Sequence, residues 1–173
     1  TASLDTPIGK MAAAASDKGV LFLTFSDSTD NLVNSKVKKA YPGIEVMEKD
    51  NKVLSIMRKE LEGYFEGKLR GFGVPLAYSG SEFRKEIWSY LLEIPYGSTV
   101  SYIQVAFSLG RPEAVRAVAN ANSANPIAII IPCHRVIGET GSLTGYAGGL
   151  WRKQWLLDLE KKYTGQPVDL NLF

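Results

Sequence analysis

Apolar residues recur along this chain with two different periods. In the first stretch the spacing is that of strands: residues 11–16 and 20–25 flank the turn sequence Asp17-Lys18-Gly19 and predict a hairpin over residues 8–25. From residue 52 the period lengthens to that of a helix. Val53, Leu54, Met57, Leu61, Tyr64 and Phe65 share one face of a helix over residues 52–66. Residues 30–40 read as a short helix, 44–47 as a strand, and 74–77 as another short strand after the glycine-rich break at 67–73. Together these predict a small α+β domain with an antiparallel sheet.

Past Tyr78-Ser79-Gly80-Ser81, a linker with a helix cap, the pattern is mostly helical. A helix over 82–93 places Phe83, Ile87, Trp88 and Leu91 on one face. Ser101 and Gln104 have the spacing of a capping box and predict a two-turn helix to residue 109. Gly110 is a natural stop, and Pro112 a natural first-turn residue for a helix to about residue 122. Residues 150–163 form an amphipathic helix with Trp151, Trp155, Leu156 and Leu159 inward, and residues 166–173 form a tail. The chain therefore divides into an N-terminal domain, 1–78, and a C-terminal domain, 79–173.

Composition narrows the function classes. The 173 residues are 45 % apolar and 22 % charged, as in ordinary globular proteins. The net charge of +2 permits a nucleic-acid partner without pointing to one. The longest apolar run, residues 127–131, is far too short to cross a bilayer, and no charged-apolar-small signal opens the chain. A single cysteine excludes an internal disulfide and fits a reducing compartment: the cytoplasm, or the nucleus in a eukaryotic cell. One cysteine and one histidine cannot supply a usual structural zinc site, so no metal is expected.

That cysteine and that histidine are neighbours, Cys133 and His134, at the end of the apolar run. If the run is a buried strand, a nucleophile at its end is aimed by a rigid scaffold. An imidazole beside it can take the proton of a thiol whose pKa, about 8.5, leaves it mostly neutral at pH 7. A buried structural cysteine beside a satisfied core histidine would give the same dipeptide.

The helices at 102–109 and 112–122, joined at Gly110-Arg111-Pro112, have the form of a helix-turn-helix. The second is rich in small residues (Ala114, Ala117, Ala119), which let a backbone approach a surface closely. Arg116 is its one long cation and could enter a base stack. An alanine-rich helix packed in a core, with Arg116 solvated, is the alternative. Asn125, eight residues before Cys133, can brace a turn and donate to a ligand.

Pro132-Cys133-His134-Arg135-Val136 resembles the active-site signature of the O6-alkylguanine-DNA alkyltransferases (methylated-DNA–protein-cysteine methyltransferases). The resemblance runs from Phe83 to Glu160. It takes in Ser101-Tyr102, Arg116-Ala117-Val118, Asn125-Pro126, Gly145-Tyr146-Ala147-Gly148-Gly149, Trp155-Leu156-Leu157 and Glu160. It implies an RNase-H-like α+β N-terminal domain, followed by a mainly helical domain with the helix-turn-helix. It also implies roles. Cys133 accepts the alkyl group, His134 is its base through a water, and Glu160 orients His134 as in a hydrolase triad. Asn125 bonds within the active-site region, and Tyr102 contacts the guanine and helps protonate N3. DNA contacts fall to Arg116, Ala114, Ala117, Ala119, Tyr102 and Arg135. The pocket wall falls to Tyr146, Ala147, Gly148 and Val136.

The implied activity is irreversible, single-use repair of O6-alkylguanine, and of O4-alkylthymine, in double-stranded DNA by a monomer without cofactor. Two rivals use the same residues differently. One is a cysteine hydrolase built on Cys133, His134 and Glu160. The other is a protein that binds alkylated bases without repairing them.

Overall fold

The computed structural model describes residues 1–26 and 32–165, so the expectations for residues 27–31 and for the tail at 166–173 lie outside the described residues. The chain divides into two compact units. One is Thr1–Gly80 with Pro126–Ala128. The other is Ser81–Asn125 with the chain from Ile129 onward.

In the first unit three antiparallel strands stand in chain order: β1 (Ala2–Thr6), β2 (Gly9–Ser16) and β3 (Gly19–Phe25). The hairpin over 8–25 forms with Ser16 opposite Gly19. The sheet is wider than the alternation indicates, because β1, whose sequence Ala-Ser-Leu-Asp-Thr buries only Leu4, pairs along the other edge of β2. Gly19 is required where it stands. Its φ is +153°, and a Cβ there would lie 2.6 Å from the Pro75 oxygen. That close approach lets Val20 N–H reach Pro75 O at 2.8 Å and Ala77 N–H reach Val20 O at 2.8 Å.

Helices α1 (Leu32–Ala40) and α2 (Lys52–Phe65) complete the unit. Asn51 caps α2 by accepting from Leu54 N–H at 2.8 Å, and Val53, Leu54, Met57, Leu61 and Tyr64 are its buried face. Two expected strands do not form. Residues 44–47 run without partner strand, leaving Ile44 and Met47 47 % and 58 % exposed. Residues 74–77 make a single bridge, Leu76 to Val20, because Pro75 has no N–H to extend a ladder. Pro126–Ala128 joins this unit through a parallel bridge of Ile127 to Leu23.

In the second unit α3 (Glu82–Glu93) starts at the Ser81 cap and buries Ile87, Trp88 and Leu91. A two-strand parallel pair, β4 (Val100–Ser101) with β5 (Val136–Ile137), sets the register Val100 to Val136. Helix α4 (Tyr102–Ser108) opens with the full Ser101/Gln104 capping box. The second helix of the pair begins as a 3₁₀ turn, Pro112–Ala114, and becomes α-helical as α5 (Val115–Ser123). Arg111 gives it no side-chain cap. The Trp88 indole N–H donates to Ala121 O at 2.9 Å and ties α3 to α5.

Helix α6 (Leu150–Thr164) buries a different face from the one expected. Trp151 is 51 % exposed, while Lys153, Leu156, Leu157 and Glu160 are inward. That set has the i, i+3, i+4, i+7 spacing, but two of its members are charged. Among the described residues no helix is long and apolar enough to cross a membrane.

Candidate active site

The apolar run before Cys133 is buried, but it is not a strand. After the Ile127 bridge the chain turns, and Ile129 adopts φ +72°, a left-handed conformation that a β-branched residue avoids unless its surroundings enforce it. The run is apolar because Ile127 in its bridge and Ile129, Ile130 and Ile131 in the turns after it are all buried. Cys133 then opens a 3₁₀ turn, Cys133–Arg135, with its N–H on Ile131 O at 2.8 Å. Two asparagines fix that turn. Asn125 Nδ2 donates to Ile131 O at 2.8 Å and to Cys133 Sγ at 3.0 Å. Asn122, buried on the inner side of α5, donates to Cys133 O at 3.3 Å. Burial pushes the Cys133 thiol up, against the opposing Asn125 hydrogen bond and the charge of Lys153.

Behind the cysteine, Glu160 on α6 is the hub of a buried polar cluster. His134 Nε2 lies 2.9 Å from Oε1. Arg135 donates in a fork, Nε to Oε2 and Nη2 to Oε1, both at 2.9 Å, and Gly97 N–H donates to Oε2 at 2.9 Å. Burial alone would raise the Glu160 pKa. The hydrogen bonds and charges of His134 and Arg135 outweigh it and hold the carboxyl well below the usual range, so it is ionised. An ionised Glu160 needs a proton on Nε2, which assigns the lone pair to Nδ1. Nδ1 is buried and has no hydrogen-bond partner among the described residues. Burial pushes the imidazole pKa down, Glu160 opposes this, and Arg135 and Lys153 add to it, leaving His134 neutral at pH 7. A neutral imidazole with an open Nδ1 and a carboxylate on its other nitrogen is arranged as a general base.

Arg135 does not face DNA. It is 6 % exposed, its fork is spent on Glu160, and Nη1 donates to Ile94 O at 2.6 Å. The expectation of a DNA contact fails because the buried carboxylate needs a cation more than a phosphate does; uncompensated, it would cost several kcal/mol, on the order of 3–5.

Tyr102, the first residue of α4, donates from its hydroxyl to Thr144 O at 3.2 Å, and the Asn122 side chain lies within hydrogen-bonding reach of that hydroxyl. Burial raises its pKa, so the phenol keeps its proton at neutral pH. Thr144 begins the glycine-rich wall. A Cβ on Gly145 would stand 3.8 Å from the Tyr102 hydroxyl, Tyr146 is raised well above its usual pKa by burial, and Arg152 Nη1 ties down the buried Gly148 through its carbonyl at 2.7 Å. Ala147 is exposed on this loop. Val136 is fully buried, paired with Val100, and gives its carbonyl to Lys153, so it supports the wall from behind.

On α5, Arg116 and Ala117 are exposed and Ala119 is half-buried, while Val118, Ala121 and Asn122 pack inward. Ala114 is half-buried in the 3₁₀ turn rather than on the helix proper. The outer face thus carries one arginine, with Asn120 exposed one turn further along.

Three residues of the cluster carry no motif. Gly97 is legible as a helix stop, but its φ of +76° and its N–H on Glu160 show a second use. Lys153 and Asn122 sit at inward positions of their helices. A charged or amide residue recurring with the apolar stripe is the signal that marks both.

The family model for the 6-O-methylguanine DNA methyltransferase DNA-binding domain matches residues 82–162, and the model for the ribonuclease-like domain of the same proteins matches residues 1–78. A methylated-DNA–protein-cysteine methyltransferase of Methanosarcina barkeri is 45 % identical over 158 residues, 91 % of this chain and 94 % of that protein. The crystal structure of the Mycobacterium tuberculosis O6-methylguanine methyltransferase superposes with a TM-score of 0.80 at 41 % identity, covering 99 % of this chain and 96 % of the other. A structure of the M. tuberculosis protein in complex with DNA gives 0.80 at 40 % identity over 97 % and 95 % of the two chains.

Proposed function

The chain belongs to the 6-O-methylguanine DNA methyltransferase family, and we propose that Cys133 is the atom-accepting centre of its repair reaction. The activity is methylated-DNA–protein-cysteine methyltransfer on alkylated DNA. The observation that carries the assignment of Cys133 is the 3.0 Å contact from Asn125 Nδ2 to its sulfur, in a residue directly followed by the His134 of the Glu160–His134 pair.

In this reading the chemistry is done by residues 79–173. The O6 carbon of a stacked guanine is out of reach, so the nucleotide is turned out of the duplex into the pocket between Tyr102 and the wall at Tyr146, Ala147 and Gly148. Arg116 fills the gap from the exposed face of α5, with Ala114, Ala117 and Ala119 allowing close approach. His134 Nδ1 takes the thiol proton through a water. Sγ then forms a bond to the alkyl carbon as the carbon–O6 bond breaks, and the bonding pair stays on the purine. Tyr102 gives its proton to N3, and the proton on His134 returns to Tyr102 through solvent. Thiol plus ether becomes thioether plus guanine, a balance that calls on no redox partner or phosphate donor. The thioether is inert and the chain has no second cysteine, so each molecule acts once. O4-alkylthymine presents the same ether carbon and is a second substrate. A lone nucleophilic thiol that must stay reduced fits the cytoplasm.

Cys133→Ser tests this. The variant binds DNA containing O6-methylguanine within a few-fold of wild type and removes no methyl group. Measurable repair by the serine variant overturns the assignment.

A further inference from the structure

Lys153 has no part in the reaction as written, yet it is fully buried beside it. Its ammonium serves two main-chain oxygens, Val136 O at 2.6 Å and Thr144 O at 2.8 Å. One follows the Cys133 turn, and the other opens the pocket wall. The Tyr102 hydroxyl donates to the same Thr144 oxygen at 3.2 Å, and Lys153 Nζ lies 5.9 Å from the centre of the Tyr102 ring. Two donors thus share one carbonyl, and the phenol makes the longer bond.

That sharing matters because the two bonds have different futures. For Tyr102 to reach N3 its hydroxyl must leave Thr144. A carbonyl that gives up a hydrogen bond opposes the move. Lys153 keeps this one occupied. The phenolate left after proton transfer then faces a cation 5.9 Å from its ring centre. We propose that Lys153 is the positioning residue that frees Tyr102 to act as proton donor, by holding the Thr144 carbonyl in its place and by offsetting the phenolate charge. The proposal rests on the reading above, in which Tyr102 protonates the departing purine.

The groups facing Lys153 are Cys133, His134 and Tyr102. Burial pushes the lysine pKa down to about 8, and the facing Cys133 opposes this. His134 is already neutral there, the phenol keeps its proton, and ionising the thiol speeds transfer. Loss of the lysine charge is therefore the change that slows the reaction as pH rises through about 8.

The test is the single-turnover rate of benzyl transfer from the free base O6-benzylguanine to Cys133, read by intact mass between roughly pH 6.5 and 9.5. Wild type slows above about pH 8, and Lys153→Arg, which stays charged, does not. Lys153→Met is slower by ~10²-fold, and the double variant with Tyr102→Phe is no slower than Lys153→Met alone. Tyr102→Phe has no hydroxyl to free, so it also loses the alkaline decline. This arm decides the matter even if Lys153→Met does not fold. An alkaline decline retained in Lys153→Arg or Tyr102→Phe, or losses that multiply in the double variant, overturns the proposal. A wild-type protein that takes up no benzyl group at any pH overturns the underlying reading and the proposal with it.

Discussion

Asn125 holds Cys133 by its sulfur: the Nδ2 amide lies 3.0 Å from Sγ and 2.8 Å from Ile131 O, so the side chain that shapes the turn also faces the thiol. A donor aimed at sulfur favours the thiolate, against the burial that raises the Cys133 pKa.

Asn125→Ala removes that donor and frees the Ile131 carbonyl. A hydrogen bond to a charged group contributes about 1.5–3 kcal/mol, so transfer to Cys133 slows by ~10- to 10²-fold. The pH at which iodoacetamide modifies half of the thiol per unit time also moves upward. An unchanged modification profile would show that Asn125 serves the turn alone.

Acid weakens this fold through its one histidine. The folded-state pKa of His134 is depressed below its unfolded value of about 6.5, so the unfolded chain binds a proton that the native state refuses. The stability from burying neutral imidazole is complete above about pH 6.5 and is lost as pH falls below it, at up to about 1.4 kcal/mol per pH unit. Glu160 adds a second loss below about pH 4.3, because its folded-state carboxyl stays ionised while the unfolded one takes a proton. Urea midpoints measured at about pH 7 and 5.5 fall with acid in wild type and fall much less in His134→Gln. Equal slopes in the two proteins contradict the buried neutral imidazole.

Arg116 is the one cation on the exposed face of α5, beside Ala117 and Asn120. Turning a base out of the stack costs a few kcal/mol, and an inserted side chain offsets part of it. Arg116→Ala therefore slows repair of duplex DNA by ~10²-fold but reaction with free O6-benzylguanine by only a few-fold. Equal losses on both substrates place Arg116 in the fold rather than in base extrusion.

Much of this was legible from residue pattern because local rules and tertiary packing agree. The 8–25 hairpin carries its own turn, and Ser101 with Gln104 caps α4 whatever packs around it. The failures have separate causes. Residues 127–131 are apolar enough for a strand but are packed turns with a left-handed isoleucine. In α6, of Trp151, Trp155, Leu156 and Leu159, only Leu156 is fully inward, and the buried stripe also includes Lys153 and Glu160. Those charges are inside because His134, Arg135, Val136 O and Thr144 O wait there for them. No scale of hydrophobicity reports a partner that lies 17 or 26 residues away. The Cys133-His134 dipeptide is visible in the sequence, but the Glu160 hub exists only once α6 is in place.

The central claim is that Cys133 takes the alkyl group, once and for good. Intact mass spectrometry after incubation with excess duplex DNA containing O6-methylguanine reads this directly. The account predicts a gain of one methyl group in place of one proton, located on Cys133 by peptide mapping. One lesion is removed per protein molecule, however long the incubation. A protein of unchanged mass that has nevertheless cleared the lesion, or more lesions repaired than protein molecules present, contradicts it.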